Sequence, residues 1–544
     1  MSKAFADLVL VNGRILTAGP EWRPSQAMAL GGGRVVLVGE DSEVKAVAGS
    51  RTVIRDLQGR TVIPGLVDAH THLELFGYSW HIAVDCRPPA VKSITDIVDR
   101  LRARAGTLPT GEWVFGQGTH YQDAYLAERR YPDKRDLDLA STRHPVVFRS
   151  SYHLNVFNSK ALQLLGANRE TPDAPGGRIE RDPRTGELTG RTFDMYDALG
   201  GPEAPLEQVL AGIEYSQRQY LEKGVTAVGD IPMHPGAVSA LLALDEAHRL
   251  VIRVVAYPKL PTAVGLDELK TGHFARRFPS RPDMRLRLGG IKLFLDGGLT
   301  SSAAAMHAPY PGTDSYCGEL AFTSAELDAL VEAIDCAQLQ VAIHAIGDRA
   351  LDMAIAALGR VRQVGKAGAP RHRIEHAGNL FMTSPRVDAL ARLAITPVPQ
   401  PSFIRTTAAG YREHLGAERT GTLMPFATLL KAGIPVPGSS DALGITRDQH
   451  DPLLGIWAAV TRETDDGAIL EPEEAISVRD ALTMYTKYAA YSIGAYDEIG
   501  SLEPGKHADF VVLSHDPMSI PLIRLREVTV QQTWIAGSQV YESS

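Results

Sequence analysis

Between residues 62 and 441 the chain alternates short apolar runs with stretches of helical periodicity, the pattern of a parallel α/β fold. Eight runs read as strands: VIPGLVDAHTH (62–72), VTAVGDI (225–231), VIRVVAY (251–257), RLGGIKLFLD (287–296), QVAIHAIG (340–347), HRIEHAG (372–378), AITPVPQ (394–400) and IPVPGSSD (434–441). Helical patterns such as 324–338 and 349–363 separate most of them. Eight βα units are what a TIM barrel of about 250 residues requires. The excess between the first and second strands is too long for a βα loop and predicts an inserted lobe over about 75–205. Within it, GGRIERDPRTGELTGR (176–191) reads as a hairpin turning at Asp182-Pro183.

The two ends resemble each other and not the middle. ADLVLVNGRIL (6–16) and AMALGGGRVVLVGE (27–40) set Gly-containing turns beside β-branched runs, and 507–517 and 528–542 have the same texture. Residues 1–61 and 496–544 are therefore read as one small sheet domain, and 62–495 as the barrel domain. With 56 basic against 64 acidic residues and no basic block, nucleic acid and anionic membranes are poor partners. Three scattered cysteines form no CxxC pair, which suits a reducing cytosol. The start, MSKAFADLVLVNGR, lacks a signal-peptide apolar core, and no run is apolar over the roughly 18 residues a membrane span needs. A cytoplasmic location is expected.

Histidines at strand ends carry the chemistry. His70 and His72 are two apart at the end of the first strand, so both imidazoles face one side and can reach one ion. Among 17 histidines a single HxH pair weighs little. His344, His376 and Asp441 lie where the fifth, sixth and eighth strands give way to loops, the barrel face on which such enzymes place their chemistry. Four histidines and an aspartate converging on one rim point to a metal site. In GGIKLFLD the alternate residues Ile291, Leu293 and Leu295 form an apolar outer face, which aims Lys292, Phe294 and Asp296 inward. A lysine buried beside histidines and a metal favours its neutral amine, which can take up carbon dioxide as a carbamate bridging two ions. The alternative is an unmodified Lys292 beside a single metal.

The set PGLVDAHTH, IKLFLDGGLTSSAA, IHAIGDRA, RIEHAG and PGSSDAL resembles the amidohydrolase superfamily. Together with NGRILT, GGRIERDPRTGELTG, LEPGKHADFVVL and TWIAG, it is most similar to the YtcJ-like branch that includes N-substituted formamide deformylases. The resemblance implies a distorted (β/α)8 barrel beside a β-sandwich built from both termini. It also implies His70, His72, His344, His376, Lys292 and Asp441 as metal ligands, with Asp441 catalytic. His153 and Asn158 of the lobe are implied near the site, although Ser151-Tyr152-His153 stands where the branch usually has aspartate-glycine-histidine. Asp296 is expected near the metals, with shaping of the Gly297-Gly298 loop as its other reading. The lobe aromatics Phe76, Tyr78, Trp80, Trp113, Tyr121 and Tyr152 are candidates for a substrate wall, with simple core packing as the alternative.

The expected reaction is hydrolysis of a non-peptide C–N bond by metal-activated water, with zinc, as one or two ions, the expected metal for so imidazole-rich a set. Asp441 would accept the water's proton and deliver it to the leaving nitrogen. A mononuclear deaminase, an ester or lactone hydrolase, and a catalytically idle scaffold are the competing readings. The expected partner is a small-molecule substrate, and the resemblance admits a homo-oligomer. No GxxxxGK[ST] loop, GxSxG elbow or GxGxxG spacing competes with this set.

Overall fold

The computed structural model describes residues 6–19, 22–199, 203–279, 283, 285–362 and 372–543; the first five residues of the MSKAFADLVLVNGR start and the last residue of the 349–363 helical pattern lie outside them. The expected barrel strands form two four-stranded parallel sheets. One runs Leu286–Leu288, Arg253–Ala256, Val225–Asp230, Leu66–Thr71; the other runs Gly290–Phe294, Gln340–His344, Arg373–Glu375, Thr396–Val398.

Three of the expected strands are corrected in detail. The first run divides at Gly65: Thr61–Pro64 pairs with terminal strands, and only Leu66–Thr71 enters the parallel sheet. A Cβ at Gly65 would lie 2.2 Å from the Thr226 hydroxyl, so glycine is required where the chain changes sheets. The fourth run divides at Gly289, its first half pairing with Arg253–Ala256 and its second with Gln340–His344. Backbone bonds from Gly289 N to Ala256 O and from Lys292 N to Pro258 O bridge the two sheets there. The eighth run, 434–441, forms no regular strand. Pro435 and Pro437 remove two donors from it. It is tied instead by Ala69 N to Gly438 O, Asp441 N to His70 O, and Ser439 Oγ to Pro399 O.

Helices including Pro235–Glu246, Ser324–Cys336 and Asp348–Arg362 pack on the outside. Leu241, Val331 and Leu351 share the main hydrophobic cluster with Ile291, Leu293 and Leu295, the outer face the alternation predicts. Val67, Ala69, Ala227, Val255, Ala342 and Val398 form a separate inner cluster with Ala489, Ala490 and Ile493. The lobe is a six-stranded sheet, ordered Arg178–Arg181, Leu188–Phe193, Leu154–Phe157, Val146–Arg149, Val114–Gln117, Val84–Asp85. Its first two strands are the expected hairpin, turning from Asp182 to Gly186.

The termini form a four-stranded sheet over residues 6–56 and a six-stranded sheet that joins Arg14–Leu16 and Thr61–Pro64 to Phe510–Leu513, Val530–Ile535 and Ser538–Glu542. One cluster draws on both sheets, with Leu8, Leu10, Met28 and Val35 packed with Val62, Phe510, Val512 and Trp534. No helix among the described residues is long and apolar enough to cross a membrane.

Candidate metal centre and active site

His70, His72 and Asp441 come together at one end of the parallel sheets. Nε2 of His70 and Nε2 of His72 lie 3.3 and 3.4 Å from Asp441 Oδ1. A register shift in the first strand, between Asp68 opposite Val228 and Thr71 opposite Asp230, falls on Ala69 and His70 themselves. His376 joins from the sixth strand, its ring 5.3 Å from that of His70 and 4.6 Å from that of His344. Lys292, Phe294, Tyr152, His153 and Leu443 complete the lining of a pocket of about 20 Å³.

Each of three rings has its Nδ1 fixed by a partner, leaving Nε2 with its lone pair toward the pocket. His70 Nδ1 donates to Glu375 Oε2 at 2.5 Å, His72 Nδ1 to Ile231 O at 3.1 Å, and His376 Nδ1 to Gln400 Oε1 at 2.8 Å. This is how metal-binding histidines are held in one tautomer and orientation. Glu375 is in turn paired with Arg373, Nε to Oε1 at 2.5 Å and Nη2 to Oε2 at 2.8 Å, both residues fully buried. Gln400 is fixed by Asn379 Nδ2, and it donates to Val398 O and Ser439 Oγ. Asp68 accepts from Ser440 N and Ser440 Oγ, pinning the residue before Asp441.

Burial pushes His72 down to about 4, His376 down to about 3 and His344 well below the usual imidazole range, so all three are neutral, as metal ligation demands. Burial alone would raise Asp441, but its contacts with the His70 and His72 rings hold it well below the usual carboxylate range. Burial likewise opposes ionisation of Glu375, and the Arg373 charge more than reverses it. Lys292 is pushed down to about 8 by burial, against the pull of Glu375 and Asp441. Its Nζ is fully buried with no hydrogen-bond partner, and the same holds for His344 Nε2. Unpaired buried nitrogens are costly unless a ligand completes them. The donor set thus fits a divalent cation held by imidazoles and oxygen.

The remaining sequence candidates separate. His153 lies at the pocket, its Nδ1 2.5 Å from Asp194 Oδ1, and Asp194 holds it above its usual range although burial alone would lower it. Asp296 Oδ1 is 3.7 Å from His344 Nε2. Its oxygens also accept from Ala305, Ile346 and Gly347 N–H, so it shapes the loop as well as adjoining the site. Burial pushes it up to about 7. Tyr152 stands between the pocket and a neighbouring cavity of about 360 Å³, whose lining includes Tyr78, Phe115, Arg149, Glu203 and Met233.

Asn158 lines neither of these two cavities. It caps the helix Ser159–Leu164, accepting from Ala161 N and Val146 N and donating to Ser141 O and His144 O, which uses its whole amide. Trp80 is covered by the guanidiniums of Arg87 and Arg447, 3.8 and 5.0 Å from the ring, and lines neither cavity. Of the other expected wall aromatics, Tyr78 and Tyr152 line the large cavity; Phe76 packs in the core against Tyr215 and Tyr220, Trp113 stacks on Phe115, and Tyr121 lies tilted against His414.

Arg373, Glu375, Gln400 and Asp194 are the functional neighbours that sequence reasoning misses. Alternation assigns Glu375 and His376 to opposite faces, yet both reach His70. His376 has a φ of 70°, and this left-handed residue just past the strand turns its ring back to the centre. Asp441, with a φ of 50°, does the same at the end of its run.

Known proteins are similar to this chain over most of its length. The chain is 28% identical to an N-substituted formamide deformylase of Arthrobacter pascens, over 98% of each chain. It is 29% identical to the putative amidohydrolase YtcJ of Bacillus subtilis, over 90% of each. The crystal structure of an uncharacterised metal-dependent hydrolase from Pyrococcus horikoshii superposes with a TM-score of 0.76 at 28% identity, covering 95% of this chain and 99% of that one. The architecture is accordingly of the TIM-barrel type. Residues 53–541 match the amidohydrolase family, and the chain belongs to it as a hydrolase of carbon–nitrogen bonds other than peptide bonds.

Proposed function

We propose that this amidohydrolase uses a divalent metal to cleave an amide, N-formyl, carbamate or related C–N bond of a small molecule with water. Its frame is read as a distorted (β/α)8 barrel, 62–495, with a terminal β-sandwich and an inserted lobe that shapes the substrate pocket. The observation that carries the reading is the convergence of His70 and His72 on Asp441 in the pocket that also holds the unpartnered Lys292 Nζ and His344 Nε2. The kinship with a formamide deformylase supports the N-formyl and N-acyl classes.

His70, His72, His344, His376, Lys292 and Asp441 would hold the metal, zinc being the expected ion for this donor set. When bound, the metal supplies a water of lowered pKa and Lewis acidity toward the scissile carbonyl. Asp441, fixed between two imidazoles, takes the proton of the attacking water and returns it to the leaving nitrogen. The neutral form of Lys292 would take up carbon dioxide, its nitrogen bonding to the carbon and releasing one proton to solvent, and the carbamate would offer an anionic oxygen ligand in place of the orphaned amine. The 360 Å³ cavity beyond Tyr152 receives the rest of the substrate, with Phe115 and Met233 as apolar wall.

The test is a panel of N-formyl amines, N-acyl amines, carbamates, lactones and aminated heterocycles offered to the metal-reconstituted chain. Amine release that a chelator abolishes is expected. Turnover of lactones alone, or ammonia from heterocycles alone, overturns the assignment. Reconstitution of the apo-protein in carbon dioxide-free buffer is expected to restore activity only slowly until bicarbonate is added, and equal rates in both buffers would remove the carbamate.

A further inference from the structure

We propose that the inserted lobe completes the active site with a dyad in which His153 is a catalytic residue at the scissile carbonyl and Asp194 is its positioning residue, seated in a cradle built by the barrel loop Gly297–Ser301. The inference rests on the hydrolase reading above and adds to it a group that no metal ligand supplies.

The dyad is built by the backbone before any side chain is considered. His153 precedes the lobe strand Leu154–Phe157, and Asp194 follows the antiparallel strand Leu188–Phe193, with Leu154 opposite Phe193. Asp194 N donates to His153 O at 2.9 Å, which places the two side chains beside each other. Asp194 leaves its strand in a left-handed conformation, φ 52°, and its Oδ1 lies 2.5 Å from His153 Nδ1. Its other oxygen accepts from Ser301 Oγ of the barrel loop at 2.7 Å. The carboxylate is therefore fixed from both the lobe and the barrel.

The loop on the other side leaves room for this pair and little else. A Cβ on Gly297 would stand 2.7 Å from Asp194 Oδ2, and one on Gly298 would stand 2.8 Å from His153 Cδ2. Neither glycine has a positive φ, so space and not backbone conformation is what demands them. Two consecutive positions of a barrel loop are kept without side chains where the lobe's imidazole and carboxylate come down.

With Nδ1 committed to Asp194, Nε2 is the nitrogen His153 can offer a ligand. The ring lines the pocket with His70, His72, His376, Lys292 and Asp441, and also the adjoining space bounded by Thr300 and Tyr411. Nε2–H donates to the carbonyl oxygen of the substrate and strengthens as negative charge gathers there during attack. The proton stays on nitrogen, and no bond to His153 forms or breaks. Asp194 acts through His153 alone: its carboxylate accepts from Nδ1–H, holds the ring and steadies the doubly protonated imidazole that also presents Nε2–H.

The experiment is a double-mutant cycle in the metal-loaded full-length chain, with KM, kcat, metal content and the histidine NMR spectrum all recorded. His153→Ala is expected to lower kcat by about 10²-fold. Asp194→Asn is expected to lower it by about tenfold alone and by nothing further in the His153→Ala background, with metal content unchanged. Gly298→Ala, which alters no polar atom, is expected to reproduce the Asp194→Asn loss, and it serves as the test if Asp194→Asn does not fold. Equal losses from Asp194→Asn with and without His153, or an unchanged kcat, overturn the dyad. A low-field Nδ1 proton is expected in the wild type and absent in both Asp194→Asn and His153→Ala; its persistence in Asp194→Asn also overturns it. This signal needs no turnover. A protein that hydrolyses no amide yet shows the Asp194-dependent proton, shifted by added acetate, would sink the substrate reading and uphold the dyad.

Discussion

Two spaces meet at Tyr152, and they are built on opposite plans. The metal pocket, about 20 Å³, is walled largely by side chains at strand ends, and three of its histidines, His70, His72 and His376, are each held by a buried partner. The cavity beside it, about 360 Å³, draws its walls from lobe strands, a helix and loops, with Glu203 and His234 at 3.8 Å on a partly exposed rim. A site that must place reacting atoms to a fraction of an ångström needs locked ligands on rigid elements. A site that must choose a substrate can vary on loops and inserts without disturbing them. The comparison divides the proposed work: the barrel would supply the metal ligands, and the lobe would shape the choice of substrate and bring His153 to the reaction.

The sharpest way to break that division is to remove a ligand. His70→Ala is expected to abolish metal binding and with it all hydrolysis, read by elemental analysis and turnover; full metal content would contradict its role. Asp441→Asn is expected to lower turnover by about 10³-fold or more while the four histidines retain the metal. Normal activity would take Asp441 out of the proton path. One shell further out, Glu375→Gln leaves Arg373 buried without its carboxylate and His70 without a charged acceptor. It is expected to weaken metal affinity by about 10- to 100-fold and to cost about 3 kcal/mol of stability. Metal titration and thermal unfolding measure the two effects separately.

The barrel's plan was largely legible in the sequence, and its exceptions have local causes. Alternation in GGIKLFLD correctly assigns Ile291, Leu293 and Leu295 outward and Lys292 to the pocket, because that strand is regular. It fails in HRIEHAG, where left-handed His376 breaks the period of two, and it has no strand to act on in PGSSD, where Asp441 is also left-handed. No composition rule marks a histidine for positive φ. Pairing of Glu375 with His70 crosses some 300 residues of sequence and becomes visible only when the first and sixth strands are brought together. Asn158 carries two signals at once. Its place in a family-like motif suggested a pocket residue, while the local signal, an asparagine before SKAL, was that of a helix cap.

The smallest expected effect tests the other half of the comparison. Phe115 lies in the lobe strand Val114–Gln117, faces the large cavity, and packs edge-on against Tyr78 with ring centroids 5.3 Å apart. It lines the large cavity but not the metal pocket. Phe115→Ala removes apolar surface from the substrate wall, worth about 1–2 kcal/mol to a ligand that fills it. KM for a bulky N-acyl amine is therefore expected to rise about tenfold, while kcat for the smallest N-formyl amine and the metal affinity stay as in the wild type. If metal affinity falls instead, the lobe is part of the ligand scaffold and the two spaces are one. If KM is unmoved for every substrate length, the cavity is not where the substrate lies, and specificity must be sought on the Thr300 and Tyr411 side of Asp441.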